Sequence, residues 1–297
     1  MNEIGKNVML WVLSIVLTLM LVVYQRATGP TYPVRGSVEI EGQTIKYRLI
    51  RSFMGDQNAR IEVEVPEDSF TGKMEYRRFK SHDHWTGTDM EFQDGALIGF
   101  LPNLPPAGKM MYNVVLYRNG QAYALNAEPV ILRYTGSVPQ AVLVPHIFFM
   151  FISLLFGIRI GLEVLLRRRD SFFLTGVVVF TLFLGGLVLG PIVQKYAFDA
   201  YWTGWPFGHD LTDNKTIATF ILWLVAWFVL RKNRQNRIWP IVAVIGMLAV
   251  YLIPHSVLGA KSRKLNFSFS HSFPSAVVGF WYRISGIFCL HGQKRYR

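Results

Sequence analysis

The feature that most constrains this chain is a set of apolar runs too long and too uniform for a soluble core. The first spans residues 8–24, VMLWVLSIVLTLMLVVY. Its roughly 17 residues reach the lower limit for a helix crossing the hydrocarbon core of a bilayer. Four more follow, at residues 144–166, 172–192, 216–230 and 239–253. The last two are close to 15 residues long. That is about 23 Å of helix against a core of about 30 Å, so they must extend into their flanks or sit in a thinned bilayer. Pro240 suits the first turn of its helix, and Pro254 marks a kink or an end.

Five membrane-spanning helices are therefore expected. The first is read as an uncleaved signal-anchor (residues 1–29). Lys6 precedes it, as in a secretory signal, but the one small-residue cleavage pattern, Ala27-Thr28-Gly29, is followed by Pro30.

The formal net charge of +12 would by itself suggest nucleic acid. Its distribution argues otherwise. Residues 25–140 carry 13 basic and 13 acidic residues, while the excess falls in short loops between apolar runs and in the last 37 residues. Arg167-Arg168-Arg169 and the segment 231–237 (RKNRQNR) mark two cytoplasmic loops. The loop 195–215, with three acids and two bases, belongs outside. The N-terminus is then cytoplasmic and residues 33–135 are extracytoplasmic, which means periplasmic in a bacterial envelope. The sole cysteine, Cys289, leaves that region to hold together by its own core.

Residues 30–136 have a different texture. Short segments such as SVEIEG, TIKYRLIRS, ARIEVEVP, GKMEYRRFK, TDMEFQDG, ALIGFLP, MYNVVLYRNG, AYALNA and PVILRY carry β-branched and aromatic residues, often in alternation. Turn signals punctuate them: Glu41-Gly42, Gly55-Asp56, Asp94-Gly95, Pro105-Pro106 and Asn119-Gly120. This spacing predicts an independently folding antiparallel sandwich of the immunoglobulin or fibronectin type. The fold class is thus a membrane α-helical bundle plus an all-β sandwich. Residues 137–260 form the remaining four-helix region, and residues 261–297 a basic tail.

Chemistry-bearing residues are sparse. The topology brings His146, His209 and His255 to the outer membrane face, with Asp210 or Asp213 as further ligand or support. Such a set could hold a metal ion or haem, although histidine is also tolerated at headgroup depth with no ligand. The loop YAFDAYWTGWPFGHDLTDNKT concentrates Tyr196, Tyr201, Trp202, Trp205 and Phe207. It reads as an interfacial aromatic belt or as a surface for a partner. Thr212 or Asp213 should cap the helix that follows. Asn214-Lys215-Thr216 fits a glycosylation pattern but lies too close to the membrane for use.

Arg159 and Glu163, one turn apart, are expected to pair and to reach toward Arg167, the less favoured reading being an ion path. Gly157/Gly161 and Gly186/Gly190 have the small-xxx-small spacing of close helix packing. His82-Asp83-His84 reads as a solvated loop before a surface metal site. No nucleophile triad, glycine-rich phosphate loop, CxxCH or HExxH pattern is present.

The tail from Lys261 has no acidic residue and no sustained period, and breaks the charge pattern of the earlier loops. A shifted reading frame near Ala260 and an amphipathic surface segment explain it equally. The expected function is that of a non-enzymatic membrane protein presenting a β-sandwich to a membrane or envelope partner. A small membrane metal or haem redox protein is the alternative, and a transporter the third reading.

Overall fold

The computed structural model describes residues 3–166, 170–208 and 211–252. Helix α1 (Glu3–Thr28) leads into ten strands, after which α2 (Gln140–Leu165) opens the rest of the helical part. Helix α3 (Phe172–Leu182) runs through a π-helical segment, Phe183–Leu189, into α4 (Gly190–Phe198). Helix α5 is Leu211–Lys232 and α6 is Ile238–Leu252. Among the described residues, α1, α2, the Phe172–Phe198 stretch and α5 are long and apolar enough to cross a membrane, while α6 is shorter at 15 residues. The run at 216–230 gains its missing length on both flanks, to the 22 residues of α5.

The π segment ends two residues before Pro191, which lacks an N–H and would crowd the carbonyl four residues earlier in a regular helix. The wider turn is closed by Gly190 N–H donating to Gly185 O.

Glycines set the helix contacts. A Cβ on Gly157 would collide with the Met247 side chain of α6, and one on Gly161 would lie 3.1 Å from Val244 Cγ1. The 157/161 pair therefore packs α2 closely on α6, as its spacing suggested. Leu154, Ile158, Val178, Trp223 and Met247 fill the space between the helices. On the outer faces Ile147, Phe148, Phe173, Phe180, Ile221 and Ile245 are exposed.

In the β region, β1 (Val34–Ile40) and β2 (Gln43–Leu49) form a separate hairpin. The others are β3 (Ser52–Met54), β4 (Ala59–Glu64), β5 (Thr71–Arg78), β6 (Thr86–Gln93), β7 (Ala96–Leu101), β8 (Lys109–Arg118), β9 (Gln121–Ala124) and β10 (Val130–Thr135). They pair in the order β3-β10-β8-β5-β6-β7-β4, with β9 beside β8. Three turns have the geometry their sequences demand. Glu41-Gly42, Asp94-Gly95 and Asn119-Gly120 each place two successive residues at positive φ, between 50° and 81°. This is the two-residue turn whose twist matches paired strands.

Strand β6 changes partner midway. Residues 86–90 pair with β5 and residues 91–93 with β7. Such a strand turns the corner between sheet faces. Gly72 and Gly99 crowd against Met90 inside this corner, with space for no larger residue unless a methionine gives way. The result is nearly barrel-like, around a core that includes Ile61, Val63, Met74, Leu116 and Leu132 and that also takes in Ile40, Ile45 and Leu49 of the hairpin.

Two features depart from the expected pattern. The segment TIKYRLIRS is broken into β2 and β3 where the Tyr112 hydroxyl donates to Ile50 O at 2.8 Å. Strand β3 then pairs in parallel with β10, a contact across the whole region.

Candidate functional site

The β region meets the helical part at the end of α4. Gly136 N–H donates to Ala197 O at 3.0 Å, and the Arg133 guanidinium lies 4.6 Å from the centre of the Phe198 ring. Directly beyond this junction is the aromatic loop 199–208, and its conformation is fixed from one carboxylate. Asp213 Oδ2 accepts from Thr203 N–H (2.7 Å), Gly204 N–H (3.0 Å), the Thr203 hydroxyl (3.1 Å) and Gln194 Nε2 (3.2 Å). Asn214 Oδ1 accepts Trp205 N–H at 2.7 Å, and Trp202 Nε1 donates to Trp205 O at 3.0 Å. Thr212 or Asp213 is the cap expected from the sequence for α5, and for Asp213 the hydrogen bonds show another use. It gathers the donors of the preceding loop, a stronger use of a carboxylate because two of them are loop amides that lack a ladder partner. A Cβ on Gly204 would lie 2.6 Å from Asp213 Cβ, so only glycine allows this approach.

The rings pointing away from this clasp are bare: Tyr201 is 61% exposed, Trp205 70% and Phe207 83%, while Trp202 is half-buried. The loop presents its aromatic rings from a hydrogen-bonded backbone. The composition of the stretch signalled the rings, but nothing signalled Gln194 as part of the clasp.

A second site lies among the helices. Gln25, His146, Met150, Ser153, Lys215, Thr219, Met247 and Tyr251 are among the residues around a cavity of about 200 Å³. On α2, His146, Met150, Ser153 and Gly157 are spaced 4, 3 and 4 apart and so share one face. His146 Nδ1 lies 2.8 Å from Gly185 O in the π segment. A carbonyl only accepts, so Nδ1 carries the proton and neutral His146 keeps a lone pair on Nε2. The Ser153 hydroxyl donates to Met150 O (2.7 Å) and the Thr219 hydroxyl to Lys215 O (2.8 Å).

The proposed ligands His209, Asp210 and His255 lie outside the described residues, as do Arg167–Arg169, Pro254 and the tail from Lys261. Among the described residues no group of three His, Cys, Asp or Glu could hold a metal ion. In the loop 82–84, Arg78 occupies Asp83 through Nε–Oδ2 (2.6 Å) and Nη2–Oδ1 (2.9 Å). The Arg78 hydrogen bond holds the Asp83 carboxyl down at about 2.

Arg159 and Glu163 do pair, at 2.6 Å, but they do not reach out to solvent: they are 2% and 3% exposed. Helix α1 covers them. Asn7 Oδ1 accepts from Arg159 Nη2 at 2.6 Å, and the guanidinium lies 5.1 Å from the Trp11 ring centre. Arg159 Nε and Nη1 and Glu163 Oε2 are buried with no hydrogen-bond partner.

In comparisons with known proteins, no family model and no curated protein matches the sequence.

Proposed function

We propose that the chain is a non-enzymatic integral membrane protein. Helix α1 serves as a signal-anchor with its start in the cytoplasm, and α2 to α6 complete the membrane part. The β region is an immunoglobulin- or fibronectin-like sandwich held outside, periplasmic in a bacterium, for assembly with a protein partner of the membrane or envelope. The observation that carries this reading is the clasped loop. Four donors are spent on Asp213 to hold a loop whose exposed residues include Tyr201, Trp205 and Phe207, next to the β-region junction. Rigid aromatic side chains of this kind are favoured anchors at protein interfaces. A lipid-facing belt has no need of a fixed backbone.

A photo-crosslinking residue at Phe207 in intact cells tests the idea. The expected product is one discrete protein adduct that disappears on Trp205→Ala. Adducts to lipid alone would sink it. Orientation is tested separately, with Cys289 replaced and single cysteines placed at Ser81 and Gln235. An impermeant thiol reagent should reach position 81 and not 235, and labelling of 235 alone would invert the topology.

The alternative of a metal or haem site at His146, with His209 and His255, has one observation in its favour. Donation of Nδ1–H to Gly185 O is how a ligating histidine is commonly oriented, with Nε2 left for the ligand. A visible spectrum and metal analysis of the purified protein decide it.

A further inference from the structure

The β region has a cavity of its own, of about 230 Å³, at the end where it meets α4. Three stretches distant in sequence wall it: Gly55 and Asp56 after β3, residues 103–106 between β7 and β8, and Thr135 and Gly136 at the end of β10. Each wall is tied down. Gly55 N–H donates to Thr135 O (3.2 Å), Asn103 N–H to Asn58 Oδ1 (3.0 Å) and Gly108 N–H to Pro105 O (2.9 Å). A Cβ on Gly136 would collide with Tyr196 O, so this wall rests directly on α4. Asp56, Pro105 and Pro106 are exposed and bring the cavity to the surface.

Two polar groups in these walls lack partners. Asn103 Oδ1 is buried with no hydrogen bond, a condition that native structures seldom leave unrelieved. Asp56 is the only charged residue lining the cavity, and among the described residues its carboxylate has no ion pair. The Thr135 hydroxyl is directed to Phe53 O at 3.4 Å and keeps its lone pairs. The lining side chains thus offer one carboxylate and two neutral oxygens, against one donor group, the Asn103 amide, and no cation.

Charge and shape choose the guest. An unpaired negative charge beside a buried acceptor favours a cation that can also donate in several directions. Calcium would ask for about six to eight oxygens close around one point, and the lining has a single carboxylate. A cavity of about 150 Å³ holds benzene, so this one admits a flat group together with part of its stem. Leu104, Pro105 and Pro106 supply apolar wall. That suits a guanidinium, which is planar, weakly hydrated and carries its donors in a fork, better than a strongly hydrated ammonium.

We infer that this cavity receives an arginine side chain of the protein partner, with Asp56 as counter-charge and Asn103 Oδ1 and Thr135 Oγ1 as further acceptors. The inference deepens the partner reading above and rests on it. Gly136 N–H donates to Ala197 O, two residues before the clasped loop begins, so one partner can meet both surfaces.

The test uses full-length protein in detergent, labelled with 15N-glycine, with the Gly55 and Gly136 amides as reporters. N-acetylarginine methylamide should shift both saturably. The citrulline analogue, of the same shape without the charge, should bind at least tenfold more weakly, and the lysine analogue at least threefold more weakly. Asp56→Asn, at an exposed side chain, should weaken the arginine derivative tenfold or more, and Asn103→Ala threefold or more, with the other glycine signals unmoved. Absence of saturable shifts, equal affinity for the citrulline or lysine analogue, unchanged binding by Asp56→Asn, or saturation by calcium chloride in place of the arginine derivative would overturn the inference. A crosslinked partner at Phe207 without arginine binding sinks the inference alone. Arginine binding without a crosslinked partner removes the loop reading and leaves the cavity, so the two fail separately.

Discussion

The β region and the helical part differ in what they hide. In the β region the buried residues are apolar, and the two phenols among them are each satisfied, Tyr112 by Ile50 O and Tyr134 by Pro102 O, both at 2.8 Å. In the helical part the buried set includes Ser14, Thr18, Ser153, Arg159, Glu163, Thr175, Thr181, Asp213 and Thr219. Exposure is reversed as well. Large exposed apolar side chains in the β region are limited to Met54, Trp85, Phe92 and Phe100, whereas every described helix except α4 shows two or more such side chains. The contrast supports water around the strands and lipid around the helices, because in hydrocarbon it is the polar group that must be hidden.

The comparison can be broken most severely at the buried ion pair. Glu163→Ala leaves the Arg159 guanidinium buried without its counter-charge, and should cost about 3–5 kcal/mol of helical-part stability in a detergent unfolding titration. Arg60→Ala, at the exposed β4 pair with Glu62, should cost about 1 kcal/mol or less. Equal losses would mean that the two regions do not differ in surroundings.

A second contrast concerns apolar truncation. Leu116→Ala, at a fully buried site of β8, should cost about 2–5 kcal/mol. Phe180→Ala, 59% exposed on α3, should leave detergent-solubilised protein within about 0.5 kcal/mol of the parent. A large loss at Phe180 would point to a missing protein neighbour on that face.

The smallest expected effect is a titration. Arg78→Ala should return the Asp83 carboxyl from about 2 toward the ordinary value near 3.9, as read by carboxyl NMR shifts. Because folding depresses this group, its contribution is present above the unfolded value and is lost as pH falls through about 2. An unchanged titration would show that the Arg78 contact is not maintained in solution.

Where the sequence was legible, the determinant was local. The turns Glu41-Gly42, Asp94-Gly95 and Asn119-Gly120 were readable because a two-residue turn with both residues at positive φ favours Asn, Asp and Gly. The apolar runs were readable because length and composition alone qualify a helix to span a bilayer. Distant partners hid the rest. The parallel pairing of β3 with β10 joins residues 52–54 to 133–135, and no short-range pattern encodes it. Arg159 looked free to reach solvent because the helix that covers it, through Asn7 and Trp11, lies far earlier in the chain. Of the candidate sites, Tyr201, Trp205 and Phe207 were visible as composition. The clasp that fixes them was not, since Asp213 so close to a helix start is ordinarily read as serving its own helix. The cavity at His146 depends on the π segment supplying a carbonyl to the imidazole, which a count of apolar residues does not reveal.

That π segment also sets the angular phase of everything downstream. A wide turn absorbs one residue beyond the α-helical repeat, and in a helix of 3.6 residues per turn each residue is worth about 100° of rotation. Gln194, which reaches the Asp213 carboxylate, and Ala197, which receives Gly136 N–H, both lie beyond it in α4. If the same residues ran as a regular α-helix with none removed, α4 would swing by about a quarter turn, releasing the aromatic loop and the β region from the same hub. The wide turn works as an indexing device: it determines which way α4 presents Gln194 and Ala197.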